Sequence, residues 1–427
     1  MAVIHWSGAI VGLVIAIVLI FKKVNPVYAL FGGAIIGGLV GGASLTQTTQ
    51  FVIEGTYSVM GAVVRVLAAG VLAGILIESG AAERIAETIV IKLGEQKALL
   101  AIALACMVIT AVGVFIAVSV IIVAPIALSV ARKVGLSKSS ILLAMIGGGK
   151  AGNIISPNPN TIAVAKGFDL DLVNVMMNGF LPAIVGLIVT YFVASLLSKK
   201  GELIKEVEVE ALNSRVNPSI GKSMVAPMVA ILLLALNPIG SMLHLKFLEV
   251  IKIDSMIILP VAGLIGLFVM GQFDKATDYI TSGLNKMTGT AIILIGAGAV
   301  AGIISKSNLS EAVVQCIQMA GVSGMYLAPI SGILMAAATA STSTGSIVAA
   351  GTFGKAILSM GVAPLNAAIM VHTGAVVADH LPHGNFFHAT ADSVKMSIKE
   401  RMRLIPFESI VGGAMAIVAT LIYGVFS

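Results

Sequence analysis

Lys150 stands in an otherwise uncharged stretch, Gly147-Gly148-Gly149-Lys150-Ala151-Gly152-Asn153-Ile154-Ile155-Ser156-Pro157-Asn158-Pro159-Asn160-Thr161. An ammonium inside an apolar segment is costly and persists when something balances it. Three arrangements are open to it: contact with a substrate carboxylate, an ion pair with Asp379, or a side chain stretched out to the surface. Around it the glycines permit close backbone approach, and two prolines stop the helix. Asn153, Ser156, Asn158, Asn160 and Thr161 supply donors and acceptors. This stretch is expected to hold a small polar substrate, the plainer alternative being a polar kink sealed by its neighbours.

A second polar stretch, Ala378-Asp379-His380-Leu381-Pro382-His383-Gly384-Asn385-Phe386-Phe387-His388, sets three histidines and one aspartate in an apolar context. Only His380 and His383 have the spacing of a helical ligand pair, and no second ligand cluster accompanies them, so no metal site is expected. Histidine titrates near neutral pH, which makes Asp379, His380 and His383 candidates for a coupling proton. The alternative is that they bond freed backbone groups. A third stretch, Ala338 to Gly345, is almost entirely hydroxyls and small residues. There Thr342, Ser343 and Thr344, with Asn385, suit a polyol substrate or Na⁺, or else cap their own helices.

These groups need elements to hold them, and the composition says which kind. Hydrophobic residues make up 58% of the 427 and charged ones only 11%, far below the quarter or so of a soluble domain. Apolar runs near 8 to 21, 26 to 43, 59 to 78, 172 to 198, 223 to 240, 256 to 271, 287 to 304 and 406 to 426 are predicted to cross a membrane as helices. Residues 98 to 131 and 325 to 353 read as hairpins that dip in and return. Residues 140 to 165 and 362 to 392 start apolar and break at Pro, Gly and Asn, as discontinuous helices do. The two cysteines, Cys106 and Cys316, lack metal or disulfide spacing and are expected to be free thiols.

With the hairpins counted as re-entrant, most Lys and Arg fall on one side, which the positive-inside rule makes cytoplasmic and which leaves both termini outside. Arg65 and Lys150 alone remain at membrane depth, Arg65 as an interfacial anchor. The net charge of +6 is thereby absorbed by topology, and no nucleic-acid partner is expected. The pattern AGxxAGI recurs at Ala69 to Ile75 and Ala297 to Ile303, and PxxN at Pro157 to Asn160 and Pro382 to Asn385. In the same order with opposed topology, these matches predict an all-α polytopic protein of two inverted repeats, 1–198 and 223–427, joined by a cytoplasmic linker at 199–222. A channel would need a filter segment that is not evident, and a membrane enzyme a nucleophile beside the histidines.

The stretches ISPNPNTIAVA and ADHLPHGNFFHATADSVKMSIKERMRLIPFESIVGG resemble those of the gluconate permease (GntP) family of the ion transporter superfamily, over most of the chain and in order. The resemblance implies a proton-coupled uptake carrier of the bacterial inner membrane, for gluconate, glycerate, D-serine or a related hydroxy acid. It also implies an elevator-type homodimer with no cofactor. A Na⁺-coupled or antiport carrier for carboxylates or amino acids such as serine is the alternative.

Overall fold

The computed structural model describes residues 4–22, 24–204, 217–242, 253–319 and 323–426. The described residues are helical nearly throughout, as hydrocarbon demands: with no water to bond, each segment must satisfy its own backbone. Met60–Glu78, Ile116–Val134, Phe273–Ser305 and Ile398–Val425 are long and apolar enough to cross a membrane. Two bent pairs add to them, Ala81–Leu93 with Glu95–Ala111 at 105° and Leu172–Asn178 with Phe180–Leu196 at 41°. The chain is an integral membrane protein.

Both expected hairpins form. The first runs through Ala98–Ala111 and Ile116–Val134, the second through Leu327–Thr339 and Thr342–Ser359. Both interrupted helices form as well, Lys138–Ile154 resuming at Pro159–Gly167, and Pro364–Ala375 resuming at Asn385–Ser393. Each hairpin lies against its own interrupted helix through glycine. A Cβ on Gly148 would sit 2.0 Å from Ala103 O, and one on Gly332 would sit 2.3 Å from Val371 O. Away from these elements, Met60–Glu78 crosses Ala276–Ser305 with backbones touching, where a Cβ on Gly283 would lie 2.1 Å from Gly70 O.

Several boundaries differ from the sequence reading. Ala276–Ser305 begins well before residue 287, because its first turns carry Asp278, Ser282 and Lys286 and do not read as apolar. Ile398–Thr420 begins before residue 406 for the same reason and takes Pro406 inside the helix. The run 172–198 divides at Gly179. Leu45–Ser58, Ala81–Leu93 and Leu309–Met319 are helices whose polar faces hide them from a search for apolar runs.

Residues 205–216, half of the expected linker, lie outside the described residues. Its first residues are stitched down: Ser137 N donates to Ser198 O at 2.8 Å and Lys138 N to Glu202 O at 2.9 Å. Glu202 N in turn donates to Glu400 Oε1 at 2.9 Å, and the buried Lys138 ammonium donates to Lys395 O at 2.8 Å.

Candidate functional site

The two hairpin turns and the two helix breaks meet around one cavity of about 580 Å³, within the usual size of small-molecule sites. Its polar wall comes from three places: Asn153 and Asn160 at the first break, Thr339 to Thr344 at the second hairpin turn, and Asp379, His383, Asn385 and His388 at the second break. Its apolar wall is Phe115 to Val118 of the first hairpin, with Ile20, Val24, Pro26 and Ile293, among which Asn25 also reaches the cavity. The hydroxyls of the first hairpin are used internally, Thr110 Oγ1 donating to Ser119 Oγ at 3.1 Å and Ser119 Oγ to Ile116 O.

At the first break the asparagines form a relay. Asn158 is the N-cap of Pro159–Gly167, its Oδ1 accepting from the backbone N–H groups of Asn160 (2.8 Å) and Thr161 (3.1 Å). That bond satisfies donors an α-helix leaves free at its start. It commits Asn158 Nδ2 to donate to Asn153 O and Oδ1, both at 2.7 Å. Asn160 Nδ2 also donates to Asn153 Oδ1, at 2.9 Å.

The second hairpin turns at Ala340, which adopts a left-handed conformation (φ 46°). Ser341 Oγ caps the returning arm by accepting from Thr344 N at 3.2 Å. Thr342 Oγ1 donates to Asp379 Oδ2 at 2.5 Å. Gly384 sits against the turn, where a Cβ would lie 2.6 Å from Ala340 Cβ, so hairpin and break are in direct contact.

Behind Asp379 is a buried polar chain. Lys150 Nζ donates to Val376 O at 2.5 Å, to Asp379 Oδ1 at 2.7 Å and to His380 Nδ1 at 3.0 Å. Three donors meet three acceptors, so the ammonium is fully engaged. His380 Nε2 donates to Ile405 O at 3.0 Å, which leaves Nδ1 of the neutral ring as an acceptor. His380 Nδ1 also lies 3.1 Å from Asp379 Oδ1 and 3.8 Å from Glu408 Oε2. Glu408 is held by Arg401, both fully buried, and the Arg401 guanidinium lies 4.8 Å over the Phe387 ring.

Of the residues singled out in the sequence, Asn153, Asn160, Thr342, Ser343, Thr344, Asp379, His383 and Asn385 line the cavity. Lys150, Ser156, Asn158, Thr161 and His380 do not. Lys150 takes the ion-pair arrangement with Asp379 and presents no donor to the cavity. Asn158 and Thr161 are spent on the break itself, where Thr161 Oγ1 donates to Asn153 O at 3.4 Å. Ser156 is fully buried. Arg65 is remote from the site and pairs with Asp254 at the start of Ser255–Met270, at 2.5 Å. Desolvation pushes the Asp254 carboxyl up, but hydrogen bonds from Arg65 and the Met256 backbone outweigh it and hold it below the usual carboxylate range. Cys106 is buried and Cys316 exposed, and both are free.

Arg401 and Glu408 escaped the sequence reading, Arg401 as one of several basic residues in a loop. The available signal was Glu408, a carboxylate inside the last apolar run with a cation two helical turns earlier.

The pattern of the GntP family permease matches residues 2–426. An uncharacterized transporter of Haemophilus influenzae is 54% identical over 426 residues, covering all of both chains. A high-affinity gluconate transporter of Escherichia coli is 23% identical over 88% of this chain and 90% of its own. Among solved structures, the YdaH transporter of Alcanivorax borkumensis has a TM-score of 0.68 at 15% identity, covering 96% of this chain and 98% of that one.

Proposed function

Since this chain belongs to the GntP permease family, we propose that it is a secondary carrier of a small hydroxylated organic anion such as gluconate, driven by protons across the inner membrane. The observation that carries this reading is the cavity where both hairpin turns and both breaks converge, walled by amides and hydroxyls on one side and apolar side chains on the other. Asn153, Asn160, Thr342, Ser343, Thr344 and Asn385 contact the substrate. Asn158 and Thr161 position them. The helix from Asn385 starts at the cavity without a side-chain cap, and its free N–H groups suit a carboxylate.

Lys150 balances Asp379 rather than the substrate, and Thr342 reports cavity occupancy to that pair. His380 is the coupling group. It is faced by Lys150, Asp379, Glu408 and Arg401, and protonation converts Nδ1 from acceptor of Lys150 to donor toward Asp379. The Lys150 contact must then open, which links the proton to the joint between the two breaks.

Residues 1–198 and 223–427 are inverted repeats in this proposal, supported by the shared succession of hairpin and interrupted helix. Hairpins and interrupted helices move together as an elevator against the Met60–Glu78 and Ala276–Ser305 pair, in a homodimer with both termini outside. A Na⁺-coupled or antiport carrier for carboxylates or serine is the second reading, favoured by the hydroxyls of Thr339 to Thr344. Membrane vesicles given labelled gluconate and either a proton or a Na⁺ gradient decide. Uptake driven by the proton gradient and lost with a protonophore is expected. Uptake that follows Na⁺ alone selects the second reading, and none under either gradient removes gluconate.

A further inference from the structure

Three side-chain atoms at the first break have no partner: Ser156 Oγ and, on the two residues that reach the cavity, Asn153 Nδ2 and Asn160 Oδ1. Both residues are buried, at 1% and 2% exposure, and both line the cavity. Amide nitrogen and oxygen are assigned from their bonds, and here the backbone makes the assignment. The N–H groups of Asn160 and Thr161 require an acceptor at Asn158 Oδ1. Asn158 Nδ2 therefore donates, which makes its partner on Asn153 the oxygen. Asn160, bonded to that same oxygen, must offer it nitrogen. Neither Asn153 nor Asn160 can flip without breaking this series. What remains without a partner is the Asn153 NH₂ donor and the Asn160 carbonyl acceptor, on amides themselves joined at 2.9 Å in residues that line the cavity.

We infer that Asn153 and Asn160 together read a single uncharged hydroxyl of the substrate, Asn153 Nδ2 donating to its oxygen and Asn160 Oδ1 accepting its proton. The inference rests on the cavity being the substrate site. Among common groups a hydroxyl alone supplies acceptor and donor on one atom. A keto oxygen satisfies Asn153 but turns a lone pair toward Asn160. A carboxylate does the same with added charge, and a methylene leaves both amides unpaired. Sites built around buried polar groups reject analogues that leave them unpaired far more strongly than apolar pockets reject a missing methylene. The pair thus selects the alcohol oxidation state at one carbon, whatever binds the carboxylate elsewhere in the cavity.

The test uses purified full-length protein and competition against labelled gluconate. Competitors are the set of monodeoxy-gluconates and the keto-gluconates. One deoxy compound is expected to bind roughly 10- to 100-fold more weakly than gluconate, and the ketone at the same carbon to be weakened as well. In Asn160→Ala, which keeps the bonds from Asn158 to Asn153, removes the one from Asn160 to Asn153 and changes no charge, the ratio between gluconate and that deoxy compound is expected to fall toward one. A merely structural role for Asn160 would lower both affinities and keep the ratio. If every deoxy compound binds wild-type protein within about threefold of gluconate, the inference is wrong while the gluconate reading stands. If gluconate and all its analogues fail to bind, both are wrong. The wild-type series decides even where Asn160→Ala does not fold.

Discussion

Lys150 Nζ and Asp379 Oδ1 lie 2.7 Å apart, both shut off from solvent, and tie the break of one interrupted helix to the break of the other. Removing one member of a buried pair leaves an uncompensated charge, at a cost of about 3–5 kcal/mol, whereas replacing both with apolar groups is far milder. Lys150→Met and Asp379→Leu are each expected to unfold well below wild type in detergent, and the double variant above either single. Additive losses would mean that the two charges are balanced by other groups.

Thr342 gives the same carboxylate a hydrogen bond from the hairpin side. A bond to an ionised group contributes about 1.5–3 kcal/mol. Thr342→Val should weaken gluconate binding and lower the melting temperature together, and Thr342→Ser should restore both. Full activity in the valine variant would detach the hairpin turn from Asp379.

The lowered carboxyl of Asp254 gives a pH dependence whose sign is fixed. A depressed folded-state value adds stability above the unfolded value of about 3.9, and that stability is lost as pH falls through the folded value. Both side chains are about a third exposed, so the contribution is small, about 0.2–1 kcal/mol. Asp254→Asn is expected to lower stability slightly at pH 7 and by less at pH 3, which lies below the unfolded value. An equal effect at both pH values would assign it to the helix cap that Asp254 also provides.

Two glycines of Ala276–Ser305 make a controlled comparison. A Cβ at Gly283 meets backbone, whereas one at Gly289 has open space around it. Gly283→Ala should destabilise by about 1–3 kcal/mol and Gly289→Ala should be neutral or slightly stabilising, read as melting temperatures of the purified variants. Equal tolerance would mean that the two helices can separate.

How much of the molecule is legible in its sequence depends on the polarity of each segment. Both hairpins and both interrupted helices can be read because Gly, Pro, Asn or Thr clustered inside an apolar segment either ends the helix there or must be satisfied within the protein. The polar-faced helices, such as Ala81–Leu93, cannot be found by looking for apolar runs. At the cavity, residue types mark the stretches that meet there but not which of their residues line it. Asn158 and Asn160 look equivalent in the sequence, yet the carbonyl of one is spent on capping and that of the other has no partner, a difference set by two backbone N–H groups. Lys150 has three possible destinations, and choosing among them requires Asp379, Val376 and His380 to be placed in space.

The stitching at the start of the linker separates two kinds of connection between the halves of the chain. Ser137, Lys138, Glu202, Lys395 and Glu400 form a knot that includes the first interrupted helix, the residues after Ser198 and the head of the last helix. A cut within residues 205–216 leaves each of these contacts in place. The two halves, divided in that interval, therefore remain joined by Lys138 to Lys395 and by Glu202 to Glu400, contacts that do not pass through the covalent joint.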